Sequence, residues 1–159
     1  MKKKTLKFVI ILLVISFLLL NIFWLLYINA TFQKYSDITT DERFPGISIS
    51  SKNGCTYSVS DIKYLKFHGN LAIENSNGNF LLIWLHMFSD NKYGFTLNHN
   101  GISYQFVINE KCELVDSRLY SDEAIMLFNE HVNEADTMIK AFEEWRLAAY
   151  SRNKTYFDN

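Results

Sequence analysis

One proline and six glycines in 159 residues leave no material for a long flexible stalk. Cysteine is as scarce. Cys55 and Cys112 stand alone, too far apart for the Cys-x-x-Cys spacing of a catalytic or metal-binding pair. The four histidines, His68, His86, His99 and His131, are dispersed, and none falls into a His-x-x-x-His or His-Glu-x-x-His pattern, so no metal site is expected. Gly-x-Ser-x-Gly, Walker and dinucleotide-binding glycine patterns are missing as well. The adjacent carboxylates Asp122-Glu123 and Glu143-Glu144 point to different helix faces and read as solvated surface, not as an acid/base pair. These absences describe a protein that is not an enzyme and takes no cofactor. Positive charge is also short: four of the 16 basic residues precede residue 8, and the remaining 12 face 17 acidic ones. A nucleic-acid surface draws its affinity from neutralising phosphates, and this balance argues against one.

What the chain has in excess is one apolar run. Residues 8–28, FVIILLVISFLLLNIFWLLYI, carry no charge, glycine or proline, and only Ser16 and Asn21 are polar. As a helix this stretch spans roughly 31 Å, enough for a hydrocarbon core of about 30 Å. Lys2, Lys3, Lys4 and Lys7 precede it without an acidic residue, whereas Lys34 and Arg43 after it are outnumbered by Asp37, Asp41 and Glu42. Positive charge stays inside, which places residues 1–7 in the cytoplasm as a basic tip and the bulk of the chain outside it. The competing reading is a cleaved leader ending at Ile28-Asn29-Ala30. A secretory apolar region is normally about 7–15 residues, and this longer run ends in Phe23, Trp24 and Tyr27, which suit an interfacial aromatic belt. An uncleaved anchor in the bilayer is therefore expected. Asn21 within it has two readings, a hydrogen bond to a neighbouring membrane helix or simple tolerance near the outer boundary.

If the topology holds, Cys55 and Cys112 face an oxidising space, and a structural disulfide is the simplest expectation. Closing a loop of about 58 residues would stabilise the fold by roughly 4 kcal/mol.

Residues 29–46 read as a juxtamembrane connector rich in Thr, Asp, Ser and Lys, closed by Pro45-Gly46. Asn29-Ala30-Thr31 matches a glycosylation sequon, but it lies against the membrane, and the Lys-, Asn- and Ile-rich style reads as bacterial. Across 47–116 the period becomes two: Ile102, Tyr104, Phe106 and Ile108 alternate with Ser103, Gln105 and Asn109. Gly69-Asn70 is read as a turn between strands at 62–68 and 71–74, Asn77-Gly78 leads into 80–88, and Asn100-Gly101 separates 93–98 from 102–108. Residues 89–92 make one longer loop. The expected fold is membrane-anchored α+β: a single N-terminal transmembrane helix, then an antiparallel meander of about six strands, barrel- or sandwich-like, packed by a C-terminal amphipathic helix. The strand 80–88, FLLIWLHMF, is apolar on both faces and should be central, covered on both sides. His86 within it reads as a neutral core histidine.

Within 117–150 the helix starts at Asp122, capped by Ser121, and Ile125, Phe128, Val132, Ala135, Ile139 and Phe142 form one apolar stripe. The stripe either packs across the sheet or serves partly as a seam between molecules. Residues 151–159 read as a polar, frayed tail.

Several features, taken together, resemble the layout of the FidL-like and ToxS-like inner-membrane proteins, small single-span partners of ToxR-type membrane-bound transcription regulators. They are Lys2-Lys3-Lys4 with the 8–28 span, the β-rich exported domain, and Asp90-Asn91-Lys92-Tyr93-Gly94-Phe95 followed by Asn100-Gly101-Ile102-Ser103-Tyr104. The resemblance covers the architecture of most of the chain and transfers no functional residue. It implies a bacterial inner-membrane protein whose periplasmic domain pairs with and stabilises a regulator, in some relatives enclosing a small amphipathic ligand in a lipocalin-like barrel. Trp84 and Phe106 are the residues to line such a site, or else to fill the core. The alternatives are a periplasmic immunity protein that occludes a toxin, and an envelope protein of structural role.

Overall fold

The computed structural model describes residues 2–60, 68–86 and 91–158. The apolar run lies in one helix, α1 (Lys2–Thr31), and residues 8–20 are exposed on every side. A helix that is apolar all round needs lipid or a protein core about it. This one is long and apolar enough to cross a membrane, and none of its most apolar stretch is buried. At its end the pattern changes. Tyr27 is buried, and Phe32, whose ring meets it edge-on at 5.7 Å, is the sole residue between α1 and a second short helix, α2 (Gln33–Ile38). Tyr35 and Ile38 of α2 are each 1 % exposed.

The segment 29–46 is therefore not a connector outside the domain but part of it. Its frequent Thr, Asp, Ser and Lys hid the three apolar side chains that matter, Phe32, Tyr35 and Ile38, because a helix of one and a half turns is too short to show a period. The segment ends in a strand, β1 (Glu42–Phe44), and Pro45-Gly46 turns it into β2 (Ile47–Lys52), with Gly46 at φ 85°.

There follow β3 (Cys55–Ser60), β4 (His68–Asn75), β5 (Phe80–His86), β6 (Lys92–His99) and β7 (Ile102–Ile108). Each strand pairs antiparallel with the next, in the order β1-β2-β3-β4-β5-β6-β7. Positive φ at Asn53 and Gly54, and again at Asn100 and Gly101, gives the two-residue hairpins their mirror-image turns. The expected turn at Gly69-Asn70 does not exist. Both residues lie within β4, paired with Leu85 and Trp84. The dipeptide that does turn the chain is Asn53-Gly54. Of the strand expected at 62–68, residues 62–67 lie outside the described residues, as do the last two of 80–88 and the first two of the loop 89–92.

Register decides the faces. Val59, Leu71, Ile83, Tyr93 and Ile108 line up in successive strands, as do Tyr57, Ile73, Leu81, Phe95 and Phe106, and all of them are buried on one face. Across that face lies the C-terminal helix, α3 (Asp122–Ser151), reached through a 3₁₀ turn at Ser117–Leu119. Ser121 caps it as expected, its hydroxyl accepting from the Ala124 amide at 3.2 Å. The apolar stripe packs on the sheet, so of its two readings the intramolecular one holds. Phe128 meets Phe106 at 5.1 Å and Phe142 meets Tyr93 at 6.0 Å between ring centroids. Ile125 and Val132 are only half-buried, while Met138 and Trp145 complete the contact.

Two expectations about the sheet are corrected. It is neither a closed barrel nor a sandwich: β1 and β7 remain edges, and no second sheet is found among the described residues. The α3 side chains fill the volume that a lumen would need. The tail is not frayed either. Arg152 takes the left-handed conformation at φ 54°, and the Asn153 amide bonds back to the Ala148 carbonyl at 3.0 Å. This helix stop turns the chain so that Phe157 is buried against Tyr57, 5.2 Å between rings, while the Lys52 ammonium bonds to the Tyr156 carbonyl.

Trp145 should carry much of this packing. Trp145→Ala is expected to destabilise the fold by about 3–5 kcal/mol. Leu147→Ala, two residues on and 64 % exposed, should change stability by less than about 0.5 kcal/mol. Denaturant unfolding of the full chain in detergent micelles, followed by tryptophan-independent far-UV signal, checks both.

Candidate functional site

The polar chemistry gathers at one end of the sheet. The Asn75-Ser76-Asn77-Gly78-Asn79 connection between β4 and β5 is held by Asn75, whose side-chain oxygen accepts from the amides of Asn77 and Asn79, both at 3.0 Å. Glu134 on α3 then fastens this turn to the helix. Its carboxylate accepts from the side-chain amides of Asn79 at 2.8 Å and Asn75 at 3.1 Å, and it meets His131 Nδ1 at 2.9 Å. Asn79 passes the connection on by accepting from the Asn98 amide at 2.8 Å, and the His131 ring lies 6.0 Å from that of His99. Desolvation raises the Glu134 pKa, but the hydrogen bonds from His131, Asn79 and Asn75 outweigh it and hold the carboxyl below its usual range. The network clamps helix, turn and strand together. Among the described residues no group of three or more His, Cys, Asp or Glu side chains could hold a metal ion.

Beside the clamp, between β7 and the first turns of α3, lies a cleft of about 500 Å³. His99, Ile102, Tyr104, Glu123, Met126 and Glu130 are among its walls. Ile102 is 57 % and Met126 65 % exposed, two apolar side chains that line one cleft. The other end of the sheet meets the membrane-type helix. There Tyr27 and Thr31 share a pocket of about 350 Å³ with Leu85, Asn91, Arg146 and Tyr150. The eight residues of β6 run from one end to the other, so the cleft lies roughly 23 Å from the end of α1.

The residues singled out from sequence do not share a site. Phe106 is 1 % exposed and belongs to the core beneath α3. Trp84 lies on the opposite face of the sheet, over Gly94, where an added Cβ would come within 2.8 Å of its ring. Alternation along β5 and β7 separates them, so they cannot line one cavity, and the open sheet offers no lumen. Asn21 donates to the Phe17 carbonyl of its own helix at 2.7 Å. The side chains of His68 and His86 lie outside the described residues.

The expected disulfide is also corrected: Cys55 and Cys112 are both free. Cys55 opens β3 and Cys112 follows β7, four steps across the sheet, about 19 Å at the usual strand spacing, whereas a disulfide needs Cα atoms within about 7 Å. Burial raises the Cys55 thiol, and for Cys112 burial together with the nearby Asp136 carboxylate, against Lys140, pushes the pKa up to about 11. In both, burial disfavours the reactive thiolate.

The clamp escaped the sequence reading because its members lie as far apart as Asn75 and Glu134. Its one local signal was the density of asparagine in Asn75-Ser76-Asn77-Gly78-Asn79. The fold and site thus define an α+β chain, an open antiparallel meander under one long helix, with an N-terminal helix of membrane-spanning type. Comparison with family models, with curated proteins and with solved structures gave no match.

Titration of the denatured, unreduced protein with a thiol reagent should find two thiols per chain, with both slow to react in the folded protein near pH 7; a cystine would leave none. The Glu134 clamp sets a pH dependence. With the folded pKa below the ordinary value of 4.5, the stabilisation is complete above that value and is lost as pH falls through the folded pKa. Glu134→Gln should therefore be less stable than the parent at pH 7, and the difference should shrink below about pH 4 in unfolding curves taken across that range.

Proposed function

We propose that the protein is a single-span bacterial inner-membrane protein, N-terminus in the cytoplasm, whose periplasmic domain binds and stabilises a partner protein and does no chemistry of its own. The observation that carries this reading is the junction at Phe32. A helix with a long exposed apolar run passes through one residue into a domain whose core already contains Tyr27, Phe32, Tyr35 and Ile38. A domain mounted without a linker holds one end of its sheet at the membrane surface and presents the other end, with the cleft and its exposed Ile102 and Met126, at a set height. Such an arrangement suits a partner fixed in the same membrane, where the distance between two contact surfaces is constant. A membrane-bound transcription regulator is the class of partner that the FidL-like and ToxS-like layout implies.

Fusions at the C-terminus test the compartment: a phosphatase active only in the periplasm should be active there, and a cytosol-dependent reporter should be silent. Replacing residues 1–26, which stops short of the buried Tyr27, with a cleavable leader tests the mounting. Co-purification with a membrane-spanning partner should fall at least tenfold when the anchor is removed. Full retention, or capture of a secreted toxin instead, would overturn the reading.

A further inference from the structure

The two edges of the sheet are treated differently. β1 is three residues long, carries Glu42 and Arg43, and is followed at once by Pro45. These are the ordinary devices that keep a free edge from pairing with another chain. β7, ISYQFVI, is seven residues long and has no charge, proline or glycine. Half of it is covered. At Val107 the amide donates to the Tyr120 hydroxyl at 2.8 Å and the carbonyl accepts from the Val115 amide at 3.0 Å. Leu114 bridges to Ile108 next to them.

Those two bonds also give the phase of the strand. In an antiparallel ladder, alternate residues turn both backbone groups to the same side. Val107 faces away from β6, so Ser103 and Gln105 do too, while Ile102, Tyr104 and Phe106 face β6. Ser103 and Gln105 are exposed, and among the described residues nothing bonds to their outward amides and carbonyls. Four backbone groups thus stand open beside the cleft. The cleft itself has an apolar floor from Ile102, Tyr104 and Met126 and a rim of Glu123 and Glu130. From Asp122 to Asp136, α3 carries five carboxylates and no Lys or Arg. Glu134 and Asp136 are engaged with His131 and Lys140, and no ion pair among the described residues involves Glu123 or Glu130.

We propose that the free half of β7 is a docking edge for the partner, which adds an extended segment bearing lysine or arginine as an eighth strand along Ser103–Gln105. This rests on the partner-binding reading above and names its surface. Main-chain bonds to Ser103 and Gln105 hold the segment, and its alternate side chains enter the cleft, apolar ones against Ile102 and Met126, basic ones against Glu123 and Glu130. Charge selects this occupant over a second copy of the chain. Two such edges brought together would set Glu123 and Glu130 of one molecule against the same carboxylates of the other.

The probe is a capped ten-residue peptide whose every second residue is by turns Lys and Val, with Thr between them, so that one face carries both; it is fluorescently labelled, added to the full chain in phosphatidylcholine nanodiscs and followed by anisotropy. Binding is expected, with at least a tenfold loss when Glu replaces Lys in the peptide and a similar loss when its amides on one edge are N-methylated. Gln105→Pro removes only an outward donor and should weaken binding at least tenfold without changing far-UV dichroism. If that variant fails to fold, the N-methylated peptide carries the same test. The Glu123→Lys, Glu130→Lys double variant should prefer the Glu peptide. No binding of the Lys peptide, equal binding of its N-methylated form, or a dimer held through β7 would overturn the proposal. A photo-crosslinker at Gln105, compared with one at Arg43, separates this failure from that of the partner reading. Partner adducts from Arg43 alone would reject the edge and keep the partner, and none from either position would reject both.

Discussion

The structure depends on one knot of aromatic rings. Trp145 of α3, 0 % exposed, meets Tyr35 of α2 at 5.1 Å and Tyr57 of β3 at 5.2 Å, both edge-to-face. One turn earlier, Phe142 stacks on Tyr35 at 6.3 Å and meets Tyr93 of β6. The C-terminal tail joins through Phe157 on Tyr57. Offset and edge-on geometries of this kind add to the burial of large side chains. Here they tie the end of the membrane-type helix, the sheet, the long helix and the tail into one core. The Phe32 junction keeps its place at the end of the sheet because Tyr35 is held in this knot.

A single helix crosses one face of the seven-stranded sheet, and no element among the described residues crosses the other. On the open face Phe80, Leu82 and Trp84 alternate with core residues of β5 and are half-buried by their cross-strand neighbours, Trp84 lying over Gly94. The double-sided apolarity of this strand is thus met by unequal means. One side is sealed by α3, and the other is shielded by close lateral packing that only a glycine at position 94 permits. The two ends of the sheet differ in the same way. One adjoins the end of α1, where Tyr27 and Leu85 border the same pocket, and the other is clamped by the asparagine-rich turn and Glu134.

The free thiols separate two ideas that the sequence joins. An exported domain permits a disulfide, but geometry decides whether one forms, and Cys55 and Cys112 are placed four strand steps apart. Stability comes instead from the aromatic core, in which Cys112 is a small buried apolar group packed near Asp136 and Lys140 of α3.

Local chemistry made much of the fold readable. The uninterrupted apolar run, the period-two alternation at Ile102–Ile108, Asn100-Gly101 and the Ser121 cap each specify a conformation within a few residues, and each is realised. Gly69-Asn70 misled because a cross-strand partner can hold such a dipeptide extended, and pairing is not a local property. The place of Tyr35 in the core, the open sheet, the distance between the cysteines, the opposite faces of Trp84 and Phe106, and the meeting of Asn75 with Glu134 all depend on which strands become neighbours and where one helix crosses them. By itself the sequence determined the two long helices, the strands β5, β6 and β7, and that the first helix is fit for lipid. Only the tertiary structure decided what those segments touch, because contacts between residues tens of positions apart are selected by the shape of a shared core, which no single segment contains.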